Sequence, residues 1–198
     1  MIEFINLNRS EPYCIFEDLY KKAINKKQKH IEAIAISSID EKMNSPDSRF
    51  VNLKYVINDE WIFFSNYESP KAEQFFENSS ISCLFFWEEI NTQIRIKAKI
   101  RKTKASISDE HFSKRSQQKN ALAISSRQSK EIGSFNEVKE NFDMTLNNKD
   151  LIKRPHYWGG FSFTPNYFEF WEANEFRLNK RKVFELNDGK WMSSILQP

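Results

Sequence analysis

Two hydrophobic periods run through the chain, and their order predicts its elements. Residues 93–101, Q-I-R-I-K-A-K-I-R, place Ile94, Ile96, Ala98 and Ile100 on one face and Gln93, Arg95, Lys97, Lys99 and Arg101 on the other. That alternation predicts a half-buried antiparallel strand. Phe50 to Ile57 and Trp61 to Ser65, rich in β-branched and aromatic residues, flank Asn58-Asp59-Glu60 and read as a hairpin. Apolar runs at 31–37 and 81–87 predict further strands, whereas 39–48 is polar and turn-like. Near the end, 159–164 and 167–171 read as strands about a Pro165-Asn166 turn. The segments 182–186 and 190–192 flank Asn187-Asp188-Gly189, a strong hairpin signal. The helical period appears in Phe16, Leu19, Tyr20, Ala23 and Ile24 after Pro12, and in Phe135, Val138, Phe142 and Leu146. Short helices are expected at 69–78, 106–115 and 120–125. Strands at both ends with helices between predict one α+β domain over 1–198, its sheet closing as a barrel. Residues 1–11 are expected to form a flexible arm.

Composition narrows the class. With 198 residues, 39% apolar and 15% aromatic, the chain supports one real core. A net charge of +3 is too mild to argue for a polyanionic partner, and a small phosphorylated ligand suffices. The basic stretch Asn25 to His30 and the cationic face of 93–101 therefore read as solvated surface, not as a nucleic-acid site. Cys14 and Cys83 lack the spacing of a metal or disulfide framework. Free thiols, and no signal-like or membrane-length apolar run, give a cytoplasmic expectation. Four glycines leave no glycine-rich phosphate loop. Any nucleotide cofactor is then held by side chains.

One stretch invites such a ligand. Ser69-Pro70 reads as a helix start, with serine at the cap and proline at the first helical position. Lys71 then falls in the first turn, where the helix dipole disfavours a cation unless an anion lies between. A solvated lysine is the other reading.

The surrounding residues carry a resemblance. Arg49-Phe50-Val51-Asn52-Leu53-Lys54 and Phe64-Ser65-Asn66-Tyr67-Glu68-Ser69-Pro70-Lys71 resemble the flavin-binding core of the pyridoxamine (pyridoxine) 5′-phosphate oxidase family. Asn52 and Pro70 depart from its pattern. Further matches follow in order: Gln93-Ile94-Arg95, Ser126-Arg127-Gln128-Ser129, Arg154-Pro155-His156-Tyr157-Trp158-Gly159-Gly160, and Glu169-Phe170-Trp171 followed by Arg177-Leu178-Asn179-Lys180-Arg181. The resemblance covers about residues 12–198 and implies a six-stranded antiparallel split β-barrel with surrounding helices. It also implies a homodimer with FMN at its interface.

By that resemblance the FMN contacts fall on Arg49 to Lys54, Phe64, Ser65, Lys71, Gln93, Gln128, Ser129, Trp158 and Arg181. The residue types suit the ligand: cations for a phosphate dianion, amides and hydroxyls for a ribityl chain, aromatics for a ring. The substrate contacts fall on Lys54, His111, Arg115, Lys119, Arg177 and Asn179, with Arg177 and Asn179 in the catalytic positions. Three of these depart from the family, which has a tyrosine at 111, a serine near 119 and a histidine at 179. The implied activity is FMN-dependent oxidation of pyridoxamine or pyridoxine 5′-phosphate to pyridoxal 5′-phosphate, with O2 reduced to H2O2. The departures keep two alternatives open: a related oxidase of another ring compound, such as a phenazine precursor, and a flavin- or pyridoxal-phosphate-binding protein without turnover.

Overall fold

The computed structural model describes residues 1–198. Its strands are β1 (Glu3–Ile5), β2 (Ala33–Asp40), β3 (Ser45–Asn52), β4 (Tyr55–Ile57), β5 (Glu60–Asn66), β6 (Ser80–Trp87), β7 (Thr92–Lys102), β8 (Trp158–Glu172), β9 (Lys180–Asn187) and β10 (Lys190–Ile195). Its helices are α1 (Glu11–Asn25), α2 (Pro70–Glu77), α3 (Ala105–Lys114), α4 (Gln117–Ser125) and α5 (Phe135–Asn148). All ten strands form one sheet in the order β1-β4-β5-β8-β7-β6-β2-β3, with β9 pairing β8 and β10 pairing β9. This is a mixed α+β fold.

The alternation of 93–101 is realised in β7. Its even-numbered residues from Thr92 to Ile100 are buried and its odd-numbered ones are partly or fully exposed. The strand is central, between β6 and β8, so its cations lie on an outer face and not along a sheet edge. Under the inner face sits α1. Phe16 is fully buried, with Trp61 at 4.4 Å and Phe85 and Trp87 each at 5.5 Å between ring centroids. Each such aromatic contributes about 1.5–3 kcal/mol by leaving water.

Four expectations are corrected. The run 50–57 is not one strand: β3 ends at Asn52 and pairs with β2, while β4 begins at Tyr55 and pairs with β5. The break is a change of partner, because Leu53 N–H donates to the Glu32 carbonyl and Lys54 N–H donates to that of Ile62. The polar stretch 39–48 is largely strand, since β2 and β3 pair from Ala33↔Asn52 out to Asp40↔Ser45. Pro165-Asn166 is not a turn but a bulge within β8: Ala98 faces Pro165 and Lys97 faces Tyr167, leaving Asn166 as the extra residue. Finally, residues 1–11 are not a loose arm. Residues Glu3 to Ile5 pair in parallel with β4, and Ile2 and Leu7 are buried at 5% and 6% exposure.

Removing residues 1–7 should therefore lower the urea midpoint substantially, since two buried aliphatic side chains contribute about 3–6 kcal/mol together. An unchanged midpoint would show that the N-terminal strand contributes nothing.

Candidate functional site

The expected site residues fall into three groups. The first surrounds the start of α2. Ser69 occupies the cap, fully buried, and its hydroxyl donates to the Asn66 carbonyl at 2.8 Å without accepting from a helix N–H. The Lys71 ammonium donates to the hydroxyls of Ser69 at 3.2 Å and Ser65 at 3.4 Å, and Ser65 donates to Gln128 Oε1 at 3.3 Å. No carboxylate pairs with Lys71. Burial and the nearby Arg49 guanidinium push its pKa below the ordinary lysine value. Arg49 is more fully engaged, donating to Ser38 Oγ at 2.6 Å, to Gln74 Oε1 at 2.8 Å and to the Asp47 carboxylate. Two cations and a helix N-terminus set against one carboxylate fit an incoming phosphate. Gln128 and Ser129 lie on the exposed loop after α4, along a cleft of about 1300 Å³. In the expected Arg49–Lys54 segment, Leu53 is core, while Phe50 is 75% exposed.

The second group is built from β4, β5, α3 and the start of β8. The rings of Phe64 and His111 stack at 3.8 Å with 5° between planes, and Trp158 lies parallel to both, at 5.5 Å and 6.3 Å. Tyr55 stands edge-on to this stack, its hydroxyl 2.8 Å from His111 Nδ1. The Arg115 guanidinium lies 4.4 Å over the Trp158 ring. Its Nη2 donates to the Lys119 carbonyl at 3.2 Å, and its Nη1 is buried without a partner. Burial pushes the Arg115 pKa down to about 10. His111 is pushed down to about 4, first by burial and then by the charges of Arg115, Lys54, Lys119 and Lys114. Of the expected substrate residues, Lys54, His111, Arg115 and Lys119 thus meet around one aromatic stack. Lys54 has only Glu32, at 3.8 Å, as a counter-charge.

Two glycines make this corner possible. A Cβ at Gly159 would lie 2.2 Å from the Tyr67 hydroxyl, and one at Gly160 would lie 2.2 Å from Thr103 Cγ2 and 3.1 Å from Phe64. The bare backbone lets β8 seat Trp158 and Phe64 together.

The third group lies at the other end of β8. Gln93, Trp171 and Arg181 stand abreast across β7, β8 and β9. Arg181 grips Glu169, with Nε and Nη2 at 2.9 and 2.8 Å, and donates from Nη1 to the Gln197 carbonyl. Arg95, at 2.7 Å, and Tyr167, at 2.9 Å, complete the shell around this carboxylate, whose side chain is 2% exposed. Burial opposes its ionisation, but hydrogen bonds from Arg181 and Tyr167 and the charge of Arg95 outweigh that and hold it below the ordinary range. Arg177 and Asn179 sit on the β8–β9 loop. Phe176 and Arg177 there have φ of 54° and 61°, a left-handed pair that L residues rarely adopt. Asn179 accepts from the Asn174 N–H at 3.2 Å.

The structure therefore divides the expected residues. Between the groups runs β8, 15 residues long, a contour of roughly 50 Å at about 3.3 Å per residue. Sequence reasoning missed Tyr55, Gln74 and Glu169 as site members. Only Glu169, an acid inside the apolar run F-E-F-W, carried a visible signal.

Comparison with known proteins agrees with this reading. Residues 20–144 match the family described as pyridoxamine 5′-phosphate oxidase, and residues 158–198 match the pyridoxine 5′-phosphate oxidase C-terminal dimerisation region. The chain is 32% identical over 195 residues to pyridoxine/pyridoxamine 5′-phosphate oxidase 1 of Hydrogenovibrio crunogenus, covering 96% of this chain and 89% of that one. It is 35% identical over 163 residues to the corresponding oxidase of Cytophaga hutchinsonii, covering 80% and 75%. Among solved structures, PhzG from Burkholderia lata in complex with tetrahydrophenazine-1-carboxylic acid superposes with a TM-score of 0.90 at 24% identity, covering 96% and 93%. That likeness is one of fold. Site and relatives together define an FMN-dependent oxidase. The chain belongs to the pyridoxamine 5′-phosphate oxidase family.

Glu169→Gln should lower stability by about 3 kcal/mol by leaving two guanidinium groups without their carboxylate. Because the folded pKa of Glu169 is depressed, its contribution is present above the unfolded value of about 4.3 and is lost as pH falls through the folded one. Urea titrations from pH 7 to pH 3 should show the gap between wild type and variant closing on acidification. A constant gap would mean the carboxylate charge is not what holds the two arginines.

Proposed function

We propose that the protein oxidises pyridoxamine 5′-phosphate or pyridoxine 5′-phosphate to pyridoxal 5′-phosphate, with O2 reduced to H2O2, and that it does so as a homodimer. The observation that carries the reading is Arg115. A buried guanidinium nitrogen without a partner, over an aromatic ring and close to Lys54 and Lys119, suits a phosphoryl group attached to a flat ring. FMN, when bound, supplies acceptance of the two electrons, and O2 takes them on. The chain's own residues supply the rest. Lys71 and Arg49 hold the cofactor phosphate, Ser65 and Gln128 offer hydrogen bonds beside it, and Lys54, Arg115 and Lys119 anchor the substrate by its phosphate. Arg177 orients the pyridine ring. Asn179 can donate and accept a hydrogen bond there but cannot take a proton, so it positions without acting as a base.

The separation of the groups supports the dimer. Arg177, Asn179 and Arg181 lie a strand's length from the Arg115 corner, within residues that match a dimerisation region. A second copy related by two-fold symmetry brings one chain's C-terminal group to the other chain's corner, twice over. FMN then lies between subunits. The six-stranded split barrel belongs to the same reading: six strands lie from β5 to β3 in sheet order, and β3 approaches β5 again. A cytoplasmic location suits the free thiols, of which Cys83 is buried with its pKa raised by burial. A second reading, oxidation of a different ring compound, is favoured by His111 and Asn179 at the departing positions, and the same turnover assay separates the two.

Aerobic turnover of pyridoxamine 5′-phosphate with saturating FMN should give pyridoxal 5′-phosphate and peroxide in equal amounts. Bound flavin without product would defeat the vitamer reading. Lys71→Ala should weaken FMN binding by about tenfold or more, the loss of a charge-assisted hydrogen bond, as followed by flavin fluorescence. Arg115→Ala and Arg177→Ala should each be nearly inactive alone. Unfolded and refolded together, they should recover about a quarter of wild-type activity, since random pairing in a two-fold dimer leaves one intact site in each mixed dimer. No recovery would place both arginines in one chain's site.

A further inference from the structure

Resting on the phosphate-site reading above, we propose that docking of a phosphate monoester at Arg115 takes up one proton from solvent at His111 Nδ1, and that Tyr55 is a further ligand-binding residue, its hydroxyl turning from the imidazole to the phosphoryl group as it does so.

Geometry carries the argument. His111 stacks on Phe64 at 3.8 Å and Tyr55 stands edge-on to it, which fixes the plane of the imidazole relative to the phenol. The 2.8 Å contact joins Tyr55 Oη to Nδ1. With the ring neutral, the phenol is the better donor and the ring nitrogen the better acceptor, so Tyr55 donates to Nδ1 and the remaining imidazole proton lies on Nε2. The groups facing this pair are Arg115 and Lys114 from the end of α3, Lys119 from α4 and Lys54 from the β3–β4 junction. Glu110 of α3, already paired with Lys114 at 2.5 Å, and Glu3 of β1 act on the Tyr55 side. Cations therefore dominate around the imidazole. Burial first, and then these cations, push its pKa down to about 4.

A phosphoryl dianion reverses this field. Placed at the partnerless Arg115 Nη1, it offsets the cationic charge that adds to burial in keeping the ring neutral, and brings an attraction for a proton strong enough to outweigh the burial. A proton arriving at Nδ1 makes that nitrogen a donor, and the Tyr55 oxygen its acceptor. The phenol hydrogen is then free to point at the anion. One proton enters from water, no bond to carbon changes, and the site gains a cation and a hydroxyl donor together.

Nuclear magnetic resonance of imidazole nitrogens tests this, because the chain has only three histidines, His30, His111 and His156. His111→Asn assigns the signal. In the FMN-loaded protein at pH 7, His111 should show the neutral Nε2–H form, and saturating pyridoxal 5′-phosphate should convert it to the cation. Inorganic phosphate should do the same, and pyridoxal, which lacks the phosphate, should not. Calorimetry in buffers of different ionisation enthalpy should show wild type taking up about one proton more per ligand than His111→Asn, the phosphate's own titration being common to both. Phosphate-ester affinity should accordingly rise faster in wild type as pH falls from 8 to 6. Tyr55→Phe should weaken pyridoxal 5′-phosphate about tenfold or more, the loss of a hydrogen bond to a charged group, with flavin content retained.

A His111 that stays neutral with pyridoxal 5′-phosphate bound, or that is already cationic without it, overturns the inference, as does failure of any phosphate ester to bind. Vitamer oxidation with His111 neutral throughout sinks the inference and leaves the oxidase reading. Ionisation on phosphate binding in a chain that oxidises neither vitamer does the reverse.

Discussion

The hydrogen-bond ladder along β8 is the constraint on which the molecule depends. Its first half pairs with β5, its second half with β9, and its other edge pairs with β7 over nearly the whole length. Such a strand needs two concessions from the sequence. Gly159 and Gly160 remove side chains where Tyr67, Thr103 and Phe64 press against the backbone. Asn166 forms a bulge that bends the ladder where the partner changes. With those in place, one strand carries Trp158 at one end and the Glu169–Arg181 pair near the other. The two groups of expected site residues near its ends are held apart by the element that joins them.

Charge is distributed with the same economy. The carboxylates near the site, Glu32, Asp47, Glu110 and Glu169, each answer one or two particular cations. Lys71 and one nitrogen of Arg115 remain without an anion of their own. Desolvated cations of this kind cost stability in the empty protein, and an anionic ligand removes that cost on binding. Folding and ligand affinity are thus set against each other at two residues.

Much of this was legible in the chain. The alternation of 93–101 gave β7, Ser69-Pro70 gave the start of α2, and Asn187-Asp188-Gly189 gave the last hairpin, where Asp188 and Gly189 both take positive φ. Those are local signals, set by neighbours along the backbone. What escaped was non-local. Nothing within Phe50 to Ile57 says that its hydrogen bonds change partner at Leu53, because that depends on Glu32 and Ile62. The strand at Glu3 to Ile5 exists only because β4 lies open beside it. The site shows the same division. The family resemblance pointed to Lys54, Arg115 and Trp158, which the fold brings to one corner, but Tyr55 reads in sequence as one more aromatic of a strand. Its standing comes from a hydroxyl 2.8 Å from a ring 56 residues away.

The late position of β8 in the chain has a consequence for biogenesis. β5 and β7 are made well before residue 158, yet each offers an edge that only β8 covers. A nascent chain emerging from the ribosome therefore carries two strands rich in buried apolar residues with open hydrogen-bonding edges, while α3 to α5 are still being synthesised. Pairings of this sequence separation close slowly, and open edges invite contact with other chains in the meantime. The step most exposed to misassembly is thus the insertion of the same strand that later divides and supports the site.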